Sequence, residues 1–145
     1  MSIELISKVG LKQQKEMVFK CDLGKINMNS LYIDEKNKKE IEKVGPSPVK
    51  LLALSILGCL AASFLFCIKK RGLSLANLEG KAETTVARNN KGLWRIKKIN
   101  ISLIPKTNDI IIKKRIEQCK KFFEKYCIIS ESVRLGIDID LNIEN

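Results

Sequence analysis

Histidine is absent from this chain of 145 residues. That removes the commonest general base near neutral pH, the commonest zinc ligand and every Ser-His or Cys-His nucleophilic pair. Any chemistry must rest on Cys, Lys, Arg, Asp, Glu, Tyr or a bound cofactor. Proline and glycine are scarce, at three and eight residues, which leaves no long flexible linker and predicts one domain over residues 1–145. Aromatic side chains make up 6% of the chain, and none interleaves with a basic run in the way that stacks nucleic-acid bases. Charge of one sign does dominate: 27 Lys and Arg stand against 16 Asp and Glu, a formal balance of +11. The lysines are dispersed, however. Lys36, Lys38, Lys39 and Lys43 alternate with Asp34, Glu35, Glu40 and Glu42. This reads as a solvated surface, and no nucleic-acid partner is expected. With 45% hydrophobic and 30% charged residues the composition is globular, which argues against disorder and collagen-like repeats.

One apolar run is long. Leu51 to Ile68 carries no charge, is bounded by Lys50 and by Lys69-Lys70-Arg71, and meets the lower length limit of a membrane span. Ser55, Gly58, Cys59 and Ser63 interrupt its apolar character, and positive charge flanks both ends instead of one. The expectation is a buried helix of a protein without a membrane partner. Its ends are well marked. Ser47 is a suitable N-cap, and Pro48 stands at the first helical position, where its missing N–H costs nothing. Lys69, Lys70 and Arg71 favour the negative end of the dipole, and Gly72 can take the left-handed conformation after the last turn. The helix is predicted over residues 48–71.

Around it the apolar period is two. Alternation at Ile3, Leu5 and Val9, then at Met17, Phe19, Cys21 and Leu23, predicts two strands, and Gly24-Lys25 turns the chain into a third over 26–33. Residues 34–43 form a charged loop. Strands over 78–88 and 93–104 are joined by Asn89-Asn90-Lys91-Gly92, and the apolar parity flips at Lys97-Lys98, which marks a β-bulge. Asn108 or Asp109 caps a second helix with a stripe at Ile112, Ile116, Cys119, Phe123 and Tyr126. A last strand is predicted over 136–144, with Ile137, Ile139, Leu141 and Ile143 facing in. Its Asp138, Asp140 and Asn142 look like the start of a calcium loop, but Ile143 occupies the position that needs glycine. The fold class is therefore α+β, antiparallel strands around a long buried helix.

Cysteines stand at 21, 59, 67, 119 and 127. No pair has the Cys-x-x-Cys spacing of a zinc site, and no metal or other cofactor is expected. Met1 leads into mixed polar and apolar residues, which predicts no secretory signal and a cytoplasmic, reducing location. Cys59 and Cys67 lie eight residues apart on one helix, about 12 Å along its axis, too far for a disulfide. The same holds for Cys119 and Cys127 if the second helix runs that far. Cross-pairs stay open, above all Cys59 with Cys127. Cys119 on the core stripe and Cys21 on a strand face read as inert packing residues. Cys127 sits where the chain restarts as a short helix, and a thiolate there is stabilised by free N–H groups.

Gly45-Pro46-Ser47-Pro48 followed by Leu51-Leu52-Ala53-Leu54-Ser55-Ile56-Leu57-Gly58-Cys59 resembles the central-helix motif of the OsmC/Ohr family. Lys125-Tyr126-Cys127-Ile128-Ile129-Ser130 is similar to that family's second cysteine motif, and the order of elements fits along essentially the whole chain. The resemblance implies an intertwined homodimer with the apolar helices at its centre. It also implies thiol-dependent reduction of organic hydroperoxides: Cys59 attacks the peroxide and becomes a sulfenic acid, Cys127 condenses with it, and an external dithiol reduces the resulting disulfide. Peroxidatic members stabilise the thiolate with an Arg from an N-terminal strand, held by a Glu near the start of the central helix. This chain has no Arg before Arg71, and Val49 stands ten residues before Cys59. Lys20 or Lys25 could supply charge but lacks the guanidinium fork. A second implied reading is a non-catalytic dimer that binds an apolar or thiol-reactive ligand in its interface cavity.

Overall fold

The protein is described by a computed structural model over residues 4–144. Its residues pack as two compact units, one up to Leu51 and one from Leu52.

In the first unit three antiparallel strands, β1 (Gly10–Lys15), β2 (Val18–Asp22) and β3 (Tyr32–Asp34), pair in that order. The sequence expectation fails for β1. Its ladder lies on Gly10–Lys15 instead of residues 3–9, and all six residues are exposed. A strand that pairs without burying a face has no reason to alternate, so periodicity points elsewhere. Leu5 and Val9 are exposed outside the ladder, and Ile3 lies outside the described residues. The third strand is also shorter than the predicted 26–33: only Tyr32–Asp34 pairs with β2, while the Cys21 N–H donates to the Leu31 carbonyl.

The charged stretch after β3 folds around a buried carboxylate. Asp34 Oδ1 accepts the Lys36 N–H at 3.0 Å, Oδ2 accepts the Val44 N–H at 3.1 Å, and Lys38 Nζ approaches Oδ2 at 3.3 Å. The Asp34 N–H in turn donates to the Pro46 carbonyl. Gly45 passes so close to β3 that a Cβ would lie 1.8 Å from the Tyr32 carbonyl oxygen.

The helix α1 (Pro48–Lys69) starts where its sequence predicts and stops two residues short of the predicted 71. Ser47 Oγ accepts the Lys50 N–H at 3.3 Å, and Gly72 has a φ of 72°. Ala53, Ile56, Leu60, Phe64 and Cys67 recur at three- and four-residue intervals on its buried face. It is the one helix among the described residues long and apolar enough to cross a membrane, with a third of its most apolar window buried in the chain.

In the second unit β4 (Leu78–Arg88) and β5 (Trp94–Pro105) form a long antiparallel hairpin. Thr85 pairs with Lys98 and Val86 with Ile96, so Lys97 is the extra residue of a bulge where the apolar parity flips. Asn89 Oδ1 ties the turn by accepting the N–H groups of Lys91 and Leu93. Asp109 caps α2 (Ile110–Cys119), its Oδ1 accepting the N–H groups of Ile111 and Ile112 at 2.8 and 3.3 Å. A 3-10 turn over Phe123–Tyr126 leads into α3 (Ile128–Leu135).

The predicted strand over 136–144 is not formed. The chain is free of ladder pairing there, and Ile137, Ile139, Leu141 and Ile143 are exposed. A period-two apolar face becomes a strand only when a neighbour offers an edge, and no described residue of the same chain does so.

Candidate thiol sites

Two sulfur clusters form along the buried face of α1. At its middle, Ile56 and Leu60 enclose Cys127, and Cys59, Ile99, Ile101 and Ile129 pack against them. Near its end, Phe64, Cys67 and Ile68 pack with Ile116 and Cys119 of α2.

The first cluster brings together the two cysteines singled out by sequence. Cys127 is fully buried and occupies the N-cap of α3, where its sulfur accepts the Ser130 N–H at 3.4 Å. Cys59 is half-buried. Their surroundings push the two thiols apart. For Cys59, burial raises the pKa above the ordinary thiol value; the Ile129 N–H works against this, and the neighbouring Cys127 thiol adds to the rise. For Cys127, burial also pushes upward, but the Ser130 hydroxyl, the Cys59 thiol and the N–H groups of Ser130 and Ile129 outweigh it, so its pKa is lowered. The Ser130 hydroxyl is itself buried and has no other partner among the described residues. Between α1, β5 and the 3-10 turn lies a cleft of about 250 Å³, lined by Leu60, Phe64, Ile101, Leu103 and Phe123 together with Lys120 and Glu124. Several of these walls also pack around the thiol pair.

The second cluster corrects the sequence reading. Cys119 is not a free packing thiol: it is bonded to Cys67, with the two Cα atoms 5.9 Å apart. The partners are 52 residues apart on different helices, so no spacing rule reaches them. Sequence reasoning also missed Arg115. Its guanidinium is buried; Nε and Nη2 donate to the Cys67 carbonyl at 3.1 and 2.6 Å, and Nη2 lies 3.5 Å from Cys67 Sγ. The signal was present, because Arg115 precedes Cys119 by one helical turn and falls on the same buried stripe. Cys21 belongs to neither cluster and is half-buried on β2.

The fold has clear relatives. The organic hydroperoxide resistance protein OhrB of Bacillus subtilis superposes with a TM-score of 0.66 at 16% identity, over 97% of this chain and 98% of its own. An OsmC-like protein of Mycoplasma pneumoniae gives 0.67 at 12% identity, over 91% and 89% of the two chains. A hypothetical protein of Aquifex aeolicus gives 0.67 at 21% identity, over 92% and 90%. No curated protein matches the sequence. Residues 37–142, which hold both motifs and all four clustered cysteines, match the family model described as OsmC-like protein, and the chain belongs to that family.

Proposed function

We propose that this protein is a thiol-dependent peroxidase that reduces organic hydroperoxides through Cys59 and Cys127, acting as a single-domain homodimer in the cytoplasm. The observation that carries this reading is the packing of a half-buried Cys59 against a Cys127 that caps α3. In the proposed cycle Cys59, the more accessible sulfur, attacks one peroxide oxygen; the O–O bond breaks and the alcohol leaves. The sulfenic acid on Cys59 then condenses with Cys127, releasing water and forming the disulfide. The two thiol protons leave in the alcohol and the water. An external dithiol restores both thiols by exchange and becomes a disulfide itself.

The N–H groups of Ile129 and Ile128 favour the Cys59 thiolate, against burial and the Cys127 thiol, which raise its pKa. The lowered pKa of Cys127 suits it to the condensation step, in which its thiolate attacks the sulfenic sulfur of Cys59. Apolar cleft walls favour a hydroperoxide with a hydrocarbon tail over hydrogen peroxide.

One observation favours the alternative, a non-catalytic dimer that binds an apolar ligand: the pKa of Cys59 is raised by burial. Stoichiometric cumene hydroperoxide, followed by peptide mapping of the disulfides, separates the two. Peroxidase action predicts rapid loss of one peroxide and two thiols with a new Cys59–Cys127 link. Cys59→Ser abolishes that reaction, and Cys127→Ser stops it at the sulfenic acid. Peroxide loss no faster than with a free thiol, and no Cys59–Cys127 link, would leave ligand binding as the reading.

A further inference from the structure

The peroxide cycle leaves one buried cation and one pair of sulfurs unused. Arg115 is 7% exposed, and none of the ion pairs among the described residues neutralises it. A guanidinium is a permanent cation, and burying one without an anion is costly. Its hydrogen bonds go to Gln118 Oε1 and to the Cys67 carbonyl, one of the unpaired carbonyls in the last turn of α1. Those contacts fix the guanidinium in place and supply only partial negative charge. The group that could supply a full one is Cys67 Sγ, 3.5 Å from Nη2. As half of a disulfide that sulfur is neutral; released, it would be an anion already in contact with its counter-ion.

We propose that Cys67, Cys119 and Arg115 form a second thiol–disulfide centre, independent of Cys59 and Cys127, in which Arg115 holds the released Cys67 as a thiolate and thereby favours the reduced state. The partner is a small dithiol. Its thiolate attacks Cys119 Sγ and bonds to it, the Cys67–Cys119 bond breaks, and the electron pair stays on Cys67 beside Arg115. The second thiol of the reductant then attacks the mixed disulfide at the reductant's own sulfur. Cys119 leaves, takes a proton and ends as a thiol; the reductant ends as a disulfide. Two electrons enter the chain, one proton remains on Cys119 and one goes to solvent. Run backwards, the same centre oxidises itself at the expense of a disulfide. Low-pKa leaving groups depart faster, which sets Cys119 as the attacked sulfur and Cys67 as the leaving one.

Cys119 is fully buried and neither sulfur lines the cleft, so the reductant reaches the bond by local opening at Phe64, which belongs both to the cleft wall and to the cluster around the disulfide. Cys59 and Cys67 are separated by about 12 Å along α1, so the two centres do not exchange directly.

The test uses the full chain carrying Cys21→Ser, Cys59→Ser and Cys127→Ser, equilibrated with reduced and oxidised dithiothreitol at set ratios. Redox state is read by alkylation and mass spectrometry, and the fold by circular dichroism. Reversible reduction with the fold intact is expected, with Cys67 alkylated at lower pH than an ordinary thiol. Adding Arg115→Gln shifts the equilibrium toward the disulfide by about tenfold, about 30 mV for two electrons, and moves Cys67 alkylation to higher pH. Arg115→Lys keeps most of both effects. Reduction only on unfolding, or an equilibrium and alkylation profile unmoved by Arg115→Gln, would overturn the proposal and leave a structural cross-link with a helix-capping arginine. Because Cys59 and Cys127 are absent from this chain, failure here says nothing against the peroxidase reading, which is tested in the chain that retains them.

Discussion

Single residues set the electrostatics of this protein through backbone N–H groups as much as through side-chain charge. Cys127 is held below the ordinary thiol range although it is buried, because the hydroxyl and N–H of Ser130, the Cys59 thiol and the Ile129 N–H more than offset the cost of burying an anion. Titrated by thiolate absorbance in the Cys21→Ser chain, the pair should ionise in two steps, one below and one above the usual thiol value. Ser130→Ala should move the lower step upward, and an unmoved step would remove Ser130 from the site. Asp34 obeys the same rule in the first unit. Burial pushes its carboxyl up, but the N–H groups of Lys36 and Val44 and the Lys38 ammonium outweigh this, so its pKa is lowered. A carboxyl depressed on folding stabilises the fold above its unfolded value of about 3.9, and that contribution is lost as pH falls through the lower folded value. Protection of the Lys36 and Val44 amides from hydrogen exchange, relative to free amides at the same pH, should therefore fall in strong acid, and in Asp34→Asn it should already be low at neutral pH.

At the scale of elements, what could be read in the sequence follows from where each signal resides. Helix α1 announces itself because its caps are local: Ser47, Pro48 and Gly72 act within a turn of where they stand. The β4–β5 bulge was legible because a parity flip is written along one strand. The exposed β1 was not, since its pairing rests on backbone bonds that carry no side-chain period. The thiol pair was legible as the foremost open cross-pair and was then favoured by the two motifs, whereas the Cys67–Cys119 bond was not, because docking α2 on α1 is a property of neither helix alone. Two variants test the local part. Asp109→Ala should cost about 1 kcal/mol in chemical denaturation, the usual worth of an N-cap. Gly45→Ala places a methyl inside the Tyr32 carbonyl and should cost about 1–3 kcal/mol or more, because the obstacle is backbone and cannot rotate away.

At the scale of the whole molecule, many large apolar side chains among the described residues are exposed. Ile139 and Leu141 are 86% and 85% exposed in an extended segment that alternates apolar with polar residues, and Leu54 and Phe66 project from α1 at 61% and 66%. Scattered exposed residues need no explanation, but an alternating row beside unpaired backbone is a strand waiting for an edge. Two-fold pairing of chains would supply that edge and cover the outward side of α1, as proposed above. Ile139→Lys with Leu141→Lys discriminates sharply. In a monomer these side chains touch solvent, so the double variant should change stability by no more than about 0.5 kcal/mol per site. In the proposed dimer each lysine must be desolvated against the partner, so sedimentation should show the wild-type mass of two chains falling to the 16.4 kDa of one, with a lower Tm that, unlike that of the wild type, does not depend on protein concentration. A wild-type protein that already sediments as one chain would remove the homodimer from the proposed function and leave the apolar row without an occupant.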